Sequence, residues 1–289
     1  MLDTANNCIS MTLSFEKVDI MIAKTFVCNI FLTLATTPLL AHEFWIDSKK
    51  FQVKTGENIA AFTKNGQNFK GIDLAYFTRR AARFERIDAS GAKPVQARLG
   101  DSPVFDKPIE SDGLFTLVYQ TNPQNLTYTE WAKFKKFADH KDFGDVLSQH
   151  RERELSEDKF RETYTRFAKG LFAVGSGAGS DASRGLELEI IALKNPYTDT
   201  LDGGLPVKVL YREMPRLDAQ IEIFERSKEG DTTITLVQTN DEGIAVIPVK
   251  SGYAYLLDNV LLREPSPALS QETGAVWETL WAALTFEVR

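Results

Sequence analysis

The hydrophobic pattern changes period twice along the chain. From residue 42 to about 128, short alternating runs are separated by turns. Phe51-Gln52-Val53-Lys54 leads through Thr55-Gly56-Glu57-Asn58 into Ile59-Ala60-Ala61-Phe62. Arg83 to Ile87 and Leu114 to Tyr119 continue the period of two, which predicts strands with one buried face. Between 130 and 173 the apolar spacing becomes helical. Trp131, Phe134, Phe137 and Ala138 share one face. Phe160, Tyr164, Phe167, Ala168 and Leu171 form a second stripe behind Ser156, a candidate N-cap, so the region predicts a helical excursion. From Leu186 the alternation returns. Leu186 to Ile191, Pro206 to Tyr211, Ala219 to Phe224, Thr233 to Gln238, Ile244 to Val249, Tyr253 to Leu262 and Leu280 to Val288 read as strands.

This pattern predicts a mainly β fold: two antiparallel β-sandwich domains, immunoglobulin-like or transthyretin-like. The first would cover 42–174 and carry the helices at about 130–173; the second would cover 186–289. Between them, the composition of Gly175-Ser176-Gly177-Ala178-Gly179-Ser180-Asp181-Ala182-Ser183 predicts a linker over 175–185. The segment resembles a phosphate loop, but no Lys-Ser/Thr follows and a strand comes next where a helix is needed. The charged run Arg151-Glu152-Arg153-Glu154 reads as a solvated helix face.

The apolar run from Thr25 to Leu40 carries no charge, follows Lys24 and ends at Ala41. That is the layout of a secretory signal cut after Ala41, and the run is shorter than the ~20 residues of a bilayer span. Asp3, Glu16 and Asp19 sit where a signal needs positive charge, so Met21 reads as the true start. Segment 1–41 is therefore an N-terminal extension plus signal peptide, and the mature protein is expected in the periplasm without a transmembrane helix. Cys8 and Cys28 both precede the cut, which leaves the mature chain without disulfides or thiolate ligands. A net charge of −6 with both signs mixed argues against nucleic acid as a partner.

Cleavage after Ala41 would expose His42 as the first residue. Its α-amine and imidazole together chelate a transition metal, and nitrogen donors favour copper or nickel. The chain has two more histidines, His140 and His150, ten residues apart in the helical excursion. The candidate metal ligands are thus His42, His140 and His150. Asp142-Phe143-Gly144-Asp145 breaks any single helix joining the last two; the alternative is that both are surface residues. Glu43, Asp47 and Glu278 could assist a site. Trp45, Trp277 and Trp281 could stack on a carbohydrate or belong to a core, and Tyr164, Arg166 and Lys169 could hold an anion or satisfy helix ends. No Ser-His-Asp order with a nucleophile elbow and no His-Glu-x-x-His occurs, so the residues carry no catalytic signature.

Five stretches together resemble one family of exported bacterial proteins. They are Ala41-His42-Glu43-Phe44-Trp45, Gly66-Gln67-Asn68-Phe69-Lys70-Gly71, Tyr164-Thr165-Arg166-Phe167-Ala168-Lys169, Leu186-Glu187-Leu188-Glu189-Ile190, and Trp277-Glu278-Thr279-Leu280-Trp281-Ala282-Ala283-Leu284-Thr285-Phe286. The family is described loosely as the periplasmic component of cobalt and nickel uptake (NikM-like proteins, domain-of-unknown-function family 4198). The resemblance implies an exported, two-part β-rich protein linked to divalent metals; with the His42 chelate, the expectation is an accessory protein that binds Ni2+, Co2+ or Cu2+ and serves a metal transporter of the inner membrane. Two departures stand out: Arg212-Glu213-Met214-Pro215 occupies a turn that usually carries glycine, and the chain has only three histidines. The alternative reading is a non-catalytic envelope protein that binds a polysaccharide or a protein partner. A copper oxidase of polysaccharides is a weaker third, since it needs His42 beside a second histidine. N-terminal sequencing of the exported protein is expected to read His-Glu-Phe-Trp; an intact leader, or a terminus well downstream, would remove the amino-terminal chelate.

Overall fold

A computed structural model describes residues 42–289; the expected signal peptide and its cut lie outside the described residues. Eighteen strands and three α-helices follow one another. β1 (Glu43–Ser48), β2 (Gln52–Val53), β3 (Asn58–Gln67), β4 (Lys70–Leu74), β5 (Ala81–Asp88), β6 (Gly91–Pro94), β7 (Phe105–Pro108), β8 (Gly113–Thr121) and β9 (Gln124–Tyr128) come first. Then come α1 (Trp131–His140), α2 (Val146–Glu152) and β10 (Phe160–Val174). The remainder is β11 (Leu188–Ala192), β12 (Leu205–Tyr211), β13 (Met214–Pro215), β14 (Gln220–Arg226), β15 (Thr232–Gln238), β16 (Ile244–Ile247), β17 (Ala254–Arg263), α3 (Pro267–Thr273) and β18 (Trp277–Glu287). The fold is mainly β and most strand pairs are antiparallel, as the alternation predicts. Among the described residues no helix is long and apolar enough to cross a membrane.

The largest sheet has ten strands in the order β15-β14-β17-β18-β10-β8-β5-β6, with β2 and β9 also on β10. Its centre is a parallel pair. Glu162 to Gly170 of β10 lie beside Trp277 to Thr285 of β18, while β9 and β8 cover the two ends of the other edge of β10. Two small sheets complete the fold: β1-β3-β4 with β7 on β3, and β11-β12-β13 with β16 on β12. β1 packs against β10 and β18, and β11 against β18. One apolar core joins residues of all three sheets, from Phe44 and Ile46 through Leu171 and Phe172 to Ile190, Val207 and Leu284.

The second helical stripe is corrected: Phe160 to Val174 is a fifteen-residue strand, not a helix. Strand β10 is central and buried on both faces. Apolar residues therefore occupy both parities, which erases the period-two signal and lets a helical spacing arise by chance. The first stripe is a helix as expected, with Phe134, Phe137 and Ala138 buried. The chain breaks after it at Asp142 (φ 54°) and Gly144 (φ 61°).

The glycine-rich segment is pinned at several points. Ser176 donates to Asp112, Asn195 donates to the Gly177 and Gly179 carbonyls, and Leu114 N–H donates to the Ala178 carbonyl. Buried Lys169 reaches Asp181 at 2.8 Å and Glu189 at 3.0 Å. Across this segment the ten-stranded sheet runs on from one half of the chain into the other, and the described residues belong to one compact unit. At the turn between β12 and β13, Arg212 and Glu213 both have positive φ (51° and 64°). A two-residue hairpin loop of this kind needs that conformation at both positions, and side chains adopt it reluctantly.

Helices α1 and α2 cover a second apolar cluster. Tyr128, Phe134, Phe137, Phe160, Trp277 and Trp281 form it. Trp277 and Trp281 share one face of β18 because four residues along a strand return to the same side. Both are buried, and so is Trp45, so these three tryptophans are core residues rather than a carbohydrate platform. His150 is fully buried in the same cluster, its ring centroid 4.6 Å from that of Phe160 and 4.7 Å from that of Trp131. Its Nδ1 accepts from Trp277 Nε1–H at 2.9 Å, and its Nε2–H donates to the Ser156 carbonyl at 3.2 Å.

Burial pushes the His150 imidazole below its ordinary value of 6.5. As pH falls the unfolded chain takes up this proton first, so stability is complete above pH 6.5 and declines as pH drops towards the lower folded value. His150→Gln keeps an acceptor and a donor but does not titrate. Thermal denaturation from pH 8 to 5 should therefore show wild type losing stability relative to His150→Gln only below about pH 6.5; a constant difference would contradict the buried neutral imidazole.

Candidate functional site

The acidic cluster begins with two strands that interrupt their own apolar runs. Ile221-Glu222-Ile223-Phe224 places Glu222 in β14, and Leu256-Leu257-Asp258-Asn259-Val260 places Asp258 in β17. The two residues are directly opposite in the antiparallel register. Glu43, at the start of β1, supplies a third carboxylate. All three are buried, and ligand oxygens of the three lie within 4.8 Å of one another.

Lys141 follows α1 and enters this cluster. Its ammonium is 2.6 Å from Glu222 Oε2, 2.8 Å from Asp258 Oδ2 and 3.6 Å from Glu43 Oε1. The ammonium also lies over the Trp281 ring, 5.1 Å from its centre. Glu43 Oε2 and Asp258 Oδ1 are buried without a hydrogen-bond partner. Three carboxylates around one ammonium leave two formal negative charges in excess, and ionisation is resisted accordingly. Glu43 is pushed up to about 7, chiefly by burial and further by Asp258 and Glu222, against the pull of Lys141. Asp258 is likewise raised by burial. Glu222, although buried, is held below the ordinary range by hydrogen bonds from His140 and Lys141 and by the Lys141 charge.

A cavity of about 330 Å³ opens onto the cluster. Its walls include Gln67, Asn68, Phe137, His140 and Ile234. Exposed His140 stands at the rim, with Nε2 at 3.3 Å from Glu222 Oε1. The Gln67–Asn68 wall is the tip of the β3–β4 hairpin. Gly66 and Gly71 face each other across it, and a Cβ at Gly71 would come within 2.8 Å of the Trp45 ring. Glycine at this position lets the hairpin lie against Trp45 and reach the cavity.

The three candidate histidines do not meet. His150 is enclosed in the aromatic cluster with both ring nitrogens engaged, which corrects the expectation of a ligand or a surface residue there. His140 borders the carboxylates. His42 precedes Glu43 and is half-buried, with its imidazole lowered by burial and by the Arg166 charge; its carbonyl accepts from Arg166 Nη2 at 2.9 Å. Asp47 and Glu278 are committed elsewhere, to Arg226 at 2.8 Å and Arg263 at 2.7 Å. Reading the sequence missed Lys141, Glu222 and Asp258. The available signal was an isolated acid inside an otherwise apolar strand, where an unpaired charge is too costly to bury.

Among solved structures, the chain is similar to Salmonella alpha-2-macroglobulin reacted with methylamine, at 10% identity over 86% of this chain and 15% of that one, with a TM-score of 0.20. It is also similar to the tetra-tandem repeat in the extending region of a large adhesion protein, at 10% identity, 85% and 49% coverage and a TM-score of 0.20. The D0-D1 domain of intimin matches at 12% identity, 85% and 97% coverage and a TM-score of 0.19. The chain thus spans less than half the length of the first two, and likenesses this slight carry no argument about function. No curated protein matches the chain. A family model, Domain of unknown function (DUF4198), matches residues 39–260. The match takes in β1 with Glu43, the β3–β4 hairpin, His140, Lys141, Glu222 and Asp258, and the chain belongs to the DUF4198 family.

Proposed function

We propose that the protein is a periplasmic accessory protein that holds a divalent transition-metal ion at Glu43, Glu222 and Asp258, for uptake or buffering. The observation that carries this reading is the pair of partnerless buried oxygens, Glu43 Oε2 and Asp258 Oδ1, in a cluster two charges short of neutrality. A divalent cation supplies both the missing charge and the missing partners. The ion would act as a bound charge held by carboxylate oxygens, with His140 bonded to Glu222 and fixing its orientation, as residues behind a metal's direct ligands do. Carboxylate oxygens also suit manganese, magnesium and calcium, so this donor set does not select one divalent ion; the imidazole at the rim is the feature that suits nickel or copper. The NikM-like resemblance supports the same class of ion, and an inner-membrane metal transporter is the partner it suggests. With Trp45, Trp277 and Trp281 in the core, the polysaccharide alternative loses the stacking platform those three would have formed.

A second reading has its own observation. Lys141 already bonds two of the three carboxylates, so the cluster also serves as an ionic clamp that holds the end of α1 on β14 and β17. Lys141→Met separates the two. Without metal, the variant should lose about 3–5 kcal/mol, because it leaves the carboxylates without their cation. If an ion takes over, added nickel or cobalt restores the melting temperature; no recovery favours the clamp alone.

Direct binding provides the main test. Isothermal titration of processed protein with NiCl2, CoCl2 and CuCl2 should show one ion per chain, confirmed by elemental analysis after dialysis. Glu222→Gln should abolish binding, and His140→Ala should weaken it about tenfold or more. Unchanged binding in Glu222→Gln would overturn the carboxylate site, and loss confined to His42→Ala would move the ion to the amino end.

A further inference from the structure

A second cavity carries the opposite charge. It measures about 210 Å³ and is bordered by Arg166 of β10, Arg80, Asn65 of β3, Tyr119 of β8, Gln124 of β9 and Tyr164 of β10. Arg166 is only 8% exposed. Among the described residues no carboxylate lies within ion-pair distance of its guanidinium; Glu43, Asp258 and Glu162 act on it from farther away. Its Nη2 donates to the His42 carbonyl, while Nε is buried with no acceptor. The Tyr164 ring lies 4.7 Å from the guanidinium carbon and supports it from one side.

A buried guanidinium that spends a single hydrogen bond on a neutral carbonyl is poorly compensated. The surroundings supply more donors than acceptors. Tyr119 lines the cavity, and Arg80 adds a second positive charge from an exposed position. Asn65 Oδ1 is buried without a donor; turning that amide over presents its NH2 group to the cavity instead. Gln124 Oε1 is taken by the Tyr164 hydroxyl at 3.2 Å, which leaves its amide nitrogen as the free end. We infer that this cavity is a binding site for a small oxyanion, held between Arg166 and Arg80 and bonded by the Asn65 and Gln124 amides. A guanidinium offers paired N–H groups that match two oxygens of a carboxylate, sulfate or phosphate. The volume is below that of a drug-sized ligand site, which restricts the ligand to a few heavy atoms. The site is separate from the carboxylate cluster and does not depend on metal.

The test is isothermal titration and thermal denaturation of the full mature chain with sodium acetate, sulfate and phosphate, against chloride at constant ionic strength. One saturable site is expected, with a rise of about 2–4 °C in melting temperature at saturation. Preference for acetate identifies a carboxylate ligand, and preference for sulfate or phosphate identifies a tetrahedral one. Arg80→Ala, at an exposed position, should fold normally and bind about tenfold more weakly. Arg166→Lys keeps the charge but not the paired donors and should bind weakly or not at all. Absence of saturable heat, or equal shifts in wild type and Arg80→Ala, overturns the site.

Discussion

The parallel pairing of β10 with β18 is the constraint on which the rest of the structure depends. A parallel pair cannot be closed by a tight turn. Here the connection between the two strands is everything from the glycine-rich segment through α3. Once the last strand has docked beside β10, β17 and β14 follow by antiparallel pairing. That order puts Asp258 opposite Glu222 and Trp281 beside Arg166. β1 then packs across the same two strands and delivers Glu43 and His42. Both candidate sites are assembled from segments far apart in sequence, and both exist because of this one pairing.

Three buried cations illustrate how the fold distributes charge. Lys169 meets Asp181 and Glu189, and those carboxylates are also bonded by N–H groups of Ala192, Arg184 and Leu186. That network is satisfied, and it fixes the glycine-rich segment. Lys141 meets three acids and leaves some of their oxygens idle. Arg166 meets a neutral carbonyl and leaves some of its own donors idle. Buried polar groups are normally paired, and the idle acceptors beside one cavity and idle donors beside another are the observations on which the two proposed sites rest.

The stretches that carry the family resemblance acquire physical roles in this light. Ala41 to Trp45 contributes Glu43 to the carboxylates and Trp45 to the core. The Gly66–Gly71 hairpin needs Gly71 to lie on Trp45 and Gly66 to close onto the opposite strand, and its tip walls the cavity. Tyr164 to Lys169 lies in the central strand, with Arg166 lining the second cavity and Lys169 holding the glycine-rich segment. Trp277 to Phe286 is the partner strand, and its tryptophans support α1 and α2.

Much of the fold was legible in the sequence because strand alternation and turn chemistry are local properties. The short strands, the first helix and the break at Asp142 to Gly144 all follow from residues within a few positions of each other. The strand at 160–174 was misread because burial on both faces removes the polar half of the alternation. Burial of His150, whose ring needs Trp277 from the far end of the chain, is likewise invisible locally. The sequence by itself determined that the chain is mainly β, with an acid inside each of two apolar strands. Only the tertiary structure decided that those acids face one another and Glu43 around a single lysine, because charge is compensated through space and Lys141 lies 81 residues from Glu222 and 117 from Asp258 along the chain.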